Sequence, residues 1–216
     1  MSTLAAVGAS ETLTKALDRF QRWRRIVLAL LFGIILTALL FVRSAPGSED
    51  GLRDIIGAAG VALIVAAILG RIWCTLYIGG RKNLEIVREG PYSVTRNPLY
   101  VFSAVGAAGI GALTGSLVVA ASFAVLAYLA FLSVARVEED YLERVFGEPY
   151  RRYMSETPRF FPKLGLFRDS DMLSVPPLLF YRTVADGLMF LTAYPFFKLV
   201  DHLQGADMLP VLLRLP

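Results

Sequence analysis

Cysteine and histidine are almost absent: the 216 residues hold one of each, Cys74 and His202. A lone cysteine excludes an intrachain disulfide, so nothing in the fold hangs on the redox compartment. Cys74 lies in an apolar run beside Trp73 and Tyr77, where helix packing is its expected role. Charge is scarce too, at 19% against 56% hydrophobic residues, which is too little to clothe a soluble globule of this length. The chain has no internal repeat and no low-complexity linker, and reads as one domain, 1–216. No metal centre and no nucleic-acid partner are expected.

The apolar residues are gathered into long runs rather than set at amphipathic spacing, so a bilayer must receive them. Residues 26–42 carry no charge, and 55–78 carry only Arg71, close enough to one end to snorkel toward the headgroups. Residues 98–113 and 117–135 are uncharged and are split by Thr114-Gly115-Ser116, a turn so short that they must form an antiparallel hairpin. The fold class expected is all-α, a polytopic membrane protein with four transmembrane helices across 26–135. The first run is long for a cleaved signal, and Pro46 follows its small-residue candidate Ser44-Ala45, so it is expected to stay.

A fifth run, 175–200, is long enough to cross, yet it holds Pro195 and, one helical turn apart, Arg182 and Asp186. It reads equally as a fifth span or an in-plane helix. The Arg182 and Asp186 pair reads as a buried mark of a substrate channel or as a surface ion pair.

Basic residues cluster before the first run (Lys15, Arg19, Arg22, Arg24, Arg25), in 79–97 (Arg81, Lys82, Arg88, Arg96) and after the fourth (Arg136 to Arg168). The positive-inside rule puts all three on the cytosolic side, in a bacterial inner membrane. Residues 10–25, with Leu13, Leu17, Phe20 and Trp23, fit an interfacial anchor helix, and 201–216, with His202, fits a second short interfacial segment.

Chemistry must therefore sit in the two cytosolic pieces. The first is a loop feeding a helix: Gly90-Pro91 makes a turn, and Asn97 before Pro98 suits a cap with a first-position proline. The same helix start, with Arg96 beside it, suits a ligand carboxylate. The second piece, 136–174, extends the fourth helix until Gly147 stops it. There Glu138, Leu142 and Val145 share a face, while Arg136, Asp140 and Arg144 are spaced for i,i+4 pairs. Glu138 and Glu139 have no such explanation. Residues 157–162, Thr-Pro-Arg-Phe-Phe-Pro, cannot extend a helix, and read as a strap over a pocket or as an aromatic patch at the interface.

Gly90-Pro91-Tyr92, Arg96-Asn97-Pro98-Leu99-Tyr100, Glu138-Glu139, Phe146-Gly147, Tyr150, Tyr153 and Pro158 together resemble the isoprenylcysteine carboxyl methyltransferase family of integral membrane enzymes, over roughly 83–162. The resemblance implies S-adenosyl-L-methionine as methyl donor, surrounded by Leu84, Glu85, Ile86, Val87, Tyr92, Asn97, Pro98, Leu99, Tyr100 and Glu138. Arg96, Glu139 and Arg136 are then the candidates to act on a lipophilic, membrane-delivered acceptor. Two positions depart from the pattern: Asn97 replaces a histidine, and Val134 stands where the eukaryotic enzymes have a substrate-binding arginine. Prenylated cysteine is therefore a poor expected substrate.

The glycine-rich loop of a soluble methyltransferase has one lookalike here, 106–111, which lies inside an apolar run and reads as helix packing. A carboxylate or thiolate acceptor needs no base, whereas an amine would need one, with Glu138 or Glu139 nearest to hand. An NADPH-dependent reductase of the sterol-reductase type and a non-enzymatic membrane adaptor are the rival readings.

Overall fold

Among the described residues of the computed structural model, three helices are long and apolar enough to cross a bilayer, Gly51–Ile78, Leu117–Phe146 and Pro177–Gly205, with a shorter apolar helix, Pro98–Ala112, among them. The structure describes residues 33, 34, 37, 39–44, 50–82, 84–173 and 175–215. In chain order these form β1 (Val42–Ser44), α1 (Asp50–Ile78), α2 (Pro91–Val94), α3 (Pro98–Ala112), α4 (Leu117–Phe146), α5 (Glu148–Glu156), a 3-10 turn (Leu164–Leu166), α6 (Pro177–Leu191), α7 (Ala193–Gly205) and β2 (Leu213–Leu215). The two strands are three residues each and pair in parallel, Val42 with Leu213, and the regular structure of the described residues is otherwise helical. The expected anchor helix over 10–25 and most of the first run lie outside the described residues. From the end of that run, Leu39 enters the core with Ile64, Ile110, Leu113, Val119 and Phe197.

Helices α1, α3 and α4 end close to where the sequence placed them. Gly115 turns the hairpin with φ of 75°, and the Ser116 hydroxyl caps α4 by accepting from the Val119 amide at 3.3 Å. Gly147, at φ 62°, ends α4 after 30 residues. At about 45 Å that helix outruns a hydrocarbon core of about 30 Å, so its end projects beyond the bilayer. The glycine string over 106–111 is packing, as expected: a Cβ on Gly109 would meet the Gly60 carbonyl oxygen at 2.8 Å, and one on Gly111 would meet Ala120 Cα at 2.8 Å. The outer faces of α1, α4 and α6 leave Ile55, Leu69, Val125, Leu129, Leu188 and Met189 exposed, a surface for lipid rather than water.

The fifth run is long and apolar enough to cross, and it packs along α1. Helices α6 and α7 descend antiparallel to α1 along its length: Thr183 and Thr75 hydroxyls meet at 3.2 Å, Gly187 lies against Ile68, Phe197 joins the core, and Asp201 pairs with Arg53 near the far end. Arg182 and Asp186 face outward, and among the described residues neither forms an ion pair, so neither arrangement expected of them occurs. Arg71 does not reach for the headgroups. Its Nη1 donates sideways to Ser103 Oγ on α3. The i,i+4 pairs expected among Arg136, Asp140 and Arg144 are also absent among the described residues; Arg151 instead bridges Glu143 at 2.7 Å and Glu148 at 3.7 Å. Helix α5 was not foreseen, although Pro149 right after the Gly147 stop is a good helix-opening signal.

Candidate active site

One end of the bundle holds a cavity bounded by the end of α1, the 84–90 loop, α2, the start of α3, the projecting turns of α4 and one face of α5. Local geometry shapes its wall. Gly90 takes φ of 56° with the Tyr77 ring directly behind it, where any Cβ would fall within 2.3 Å of that ring. The single turn α2 then buries Tyr92, whose carbonyl accepts from Tyr153 Oη at 2.6 Å.

Residues 157–168 do not line the cavity. They brace the 90–97 loop from behind: the Arg96 amide donates to the Pro158 carbonyl at 2.9 Å, the Lys163 amide to Val94 at 3.0 Å and the Gly90 amide to Arg168 at 2.7 Å. Phe161 stays exposed near Tyr128, ring centroids 6.4 Å apart, so the strap carries an aromatic patch while holding the wall rather than closing over the pocket.

Two adjacent carboxylates have different surroundings. Glu139 is 3% exposed; its Oε1 accepts from Asn97 Nδ2 at 3.1 Å, and its Oε2 accepts from Arg159 Nε at 2.9 Å and Nη2 at 2.7 Å, with Arg96 Nη1 3.6 Å away. Glu138 turns toward the cavity, where its Oε2 accepts from Tyr100 Oη at 2.7 Å and Lys82 Nζ lies 3.6 Å from Oε1. Asn97 occupies the cap position before Pro98 but its side chain makes no cap bond, because it is committed to Glu139 and, at 3.3 Å, to the Arg159 carbonyl. The Tyr92 hydroxyl and Arg96 Nε are buried at the cavity with no hydrogen-bond partner among the described residues. Native proteins rarely leave such groups unmet, which makes both candidates to meet a ligand.

Burial, its largest cause, pushes the Tyr92 phenol well above its ordinary value, and burial does the same to Tyr150 and Tyr153. All three are neutral donors at physiological pH. The hydrogen bond to Glu139 raises the Arg159 guanidinium further, so it stays charged.

Of the residues singled out from the sequence, Glu85, Ile86, Val87, Tyr92, Arg96, Asn97, Leu99, Tyr100, Glu138 and Glu139 come together at the cavity. Three stay outside it: Leu84 is 77% exposed, Pro98 is buried behind the wall, and Arg136 is exposed on another face of α4, two residues being a half-turn away from Glu138. Phe146 rather than Val145 completes the Glu138 and Leu142 face. Sequence reasoning missed Lys82, weighed only as a basic residue, and Arg159, which meets Glu139 across a turn no local pattern encodes. Tyr150 and Tyr153 were visible only as parts of the family pattern.

An apolar bundle crossing the bilayer, with a polar small-molecule cavity where its helices emerge, defines an integral membrane protein with a site at the membrane surface. The chain belongs to the phospholipid methyltransferase family, whose sequence model matches residues 55–149, the stretch from α1 to the start of α5 that builds most of the cavity. This bears out the resemblance to integral membrane methyltransferases. The chain is 38% identical over 206 residues, 94% of each chain, to cobalt-zinc-cadmium resistance protein CzcN of Cupriavidus metallidurans. It is 35% identical over 218 residues, 100% of this chain and 99% of the relative, to nickel-cobalt-cadmium resistance protein NccN of Alcaligenes xylosoxydans xylosoxydans. No solved structure matches.

Proposed function

We propose that the chain is an S-adenosylmethionine-dependent methyltransferase whose cavity holds the donor, at the cytosolic face of a bacterial inner membrane, and which methylates an acceptor brought by the bilayer. The observation that carries this reading is the contrast between the two carboxylates: Glu138 faces the cavity, while Glu139 is sealed in its wall. S-adenosylmethionine, when bound, supplies a methyl group already activated on a sulfonium. The lining fits such a molecule: Glu138 matches an ammonium group, Ile86, Val87, Leu99 and Phe146 offer apolar surface for a purine, and the Tyr92 hydroxyl and Arg96 Nε await polar partners.

Glu139, Arg159, Asn97 and Arg96 act as one unit that fixes the wall. They hold the loop to α4 and leave Arg96 beside the cavity as a cation for an anionic acceptor. Neither carboxylate is set up as a base, since Glu139 is spent on Arg159 and Asn97, and Glu138, which already accepts from Tyr100, is the group that meets the donor's ammonium. The one histidine, His202, is exposed on α7, the helix that runs to the far end. An acceptor that is nucleophilic without losing a proton at the site suits this arrangement: a carboxylate, a thiolate or an anionic headgroup.

The relatives' names tie those proteins to resistance against cobalt, zinc, cadmium and nickel. Among the described residues no three His, Cys, Asp or Glu side chains are grouped to hold a metal ion. For this chain we take a link to metal resistance to run through modification of a membrane component. Calorimetric titration of the purified protein tests the donor. Binding of S-adenosylmethionine and S-adenosylhomocysteine is expected; binding of NADPH alone would favour a reductase, and binding of none an adaptor.

A further inference from the structure

The cavity gives no role to Arg71. Arg71 lies about 10 Å from the Ile78 end of α1, within an otherwise uncharged apolar stretch. A guanidinium at that depth is costly without a counter-charge, and among the described residues it has no acidic partner. Its contacts are few for a group with five N–H donors: Nη1 donates to Ser103 Oγ, and Nε is buried with no partner among the described residues. The Ser103 hydroxyl donates its own hydrogen bond to the Leu99 carbonyl at 2.7 Å. Ser103, acting as the acceptor, thus fixes one nitrogen of the Arg71 guanidinium, and Nε is left without a partner among the described residues.

The surroundings are those of a lateral crevice, not of the donor cavity. Ile68 of α1, Phe102 and Gly106 of α3 and Phe190 of α6 line it with Arg71 and Ser103. The void among them is about 10 Å³, room for an oxygen atom but not for a headgroup. Arg71 itself is only half-buried. A ligand therefore lies along the outside of the bundle, its apolar body against the helices, and offers one charged oxygen to the guanidinium.

We propose that Arg71, oriented by Ser103, is a membrane-facing site for the oxyanion, phosphate or carboxylate, of a bilayer amphiphile lying in the crevice between α1, α3 and α6. Guanidinium and oxyanion match in charge and in planar donor geometry. The apolar walls select a membrane-borne source over a soluble anion. The inference goes beyond the methyl-transfer reading and stands whether or not that reading does.

Native mass spectrometry of the full-length protein in detergent tests it, with phosphatidylglycerol, oleate and uncharged diacylglycerol as probes and inorganic phosphate as competitor. The wild-type protein is expected to retain phosphatidylglycerol or oleate at least tenfold better than Arg71→Gln, with diacylglycerol held equally by both and millimolar phosphate displacing nothing. Equal retention of both anionic probes by wild type and Arg71→Gln overturns the site, and displacement by inorganic phosphate overturns its membrane-borne source. Should Arg71→Gln fail to fold, as read from its unfolding temperature, Ser103→Ala carries the test: severalfold weaker retention is expected, and unchanged retention overturns the proposal.

Discussion

Replacing Arg159 with methionine removes both of the short N–H bonds to Glu139 Oε2 and keeps a side chain of comparable length against the strap. Glu139 remains 3% exposed, with Asn97 on its other oxygen and Arg96 at 3.6 Å, beyond hydrogen-bond range. Removing one partner of a buried ion pair costs about 3 to 5 kcal/mol. Arg159 is one-third exposed and Arg96 offsets part of the loss, which points to the lower end, about 3 kcal/mol. For a domain of this size that is a fall in unfolding temperature of roughly 6 to 12 °C. Thermal unfolding in detergent measures it. Because the cost is that of a stranded charge, Glu139→Gln in the same background is expected to recover most of the loss. An Arg159→Met protein that melts within about a degree of wild type would refute the claim that this pair holds the cavity wall.

Three further outcomes follow from the same geometry. Glu138→Gln is expected to raise the donor's dissociation constant about tenfold or more, a hydrogen bond to a charged group contributing roughly 1.5 to 3 kcal/mol; calorimetry with the folded variant checks it. Cysteine at the exposed Glu148 is expected to escape a membrane-impermeant reagent applied outside intact cells and to react once they are opened, the native Cys74 being buried; external labelling would reverse the proposed orientation. Burial raises the Tyr153 phenol, so its stabilising contribution is whole below tyrosine's ordinary value near 10 and is lost as pH climbs from there through the raised value. Tyr153→Phe should flatten that alkaline loss in unfolding scans between pH 9 and 11.

The spans were legible because a bilayer leaves the chain little choice. Uninterrupted apolar runs must cross, and Pro98, Gly115 and Gly147 act on the backbone where they stand, so the ends of α3 and α4 could be read from single residues. The cavity was legible as two separated pieces, through the family pattern from Tyr92 to Glu138. Side-chain direction was not. Asn97 sits at its expected cap position yet points at Glu139, and Arg71 reaches for Ser103 instead of the headgroups, because in each case a partner on a neighbouring helix outcompetes the local one. Arg159 is likewise invisible to any local rule, since its importance comes from a carboxylate twenty residues earlier. The packing of the fifth run along α1, through Thr75, Ile68 and Arg53, was likewise not legible, since no property of 175–200 alone contains those contacts.

The central claim is donor-dependent methylation of an acceptor that needs no base. Incubating the purified protein with S-adenosylmethionine labelled in its methyl group, together with bacterial membrane extract, tests it most directly, with a farnesylcysteine analogue in parallel. The expected result is label in an ester, thioether or other product of an anionic acceptor, abolished or much reduced in Glu138→Gln, and little ester on the farnesylcysteine analogue. Label appearing on an amine, or no transfer above that of Glu138→Gln, would contradict it.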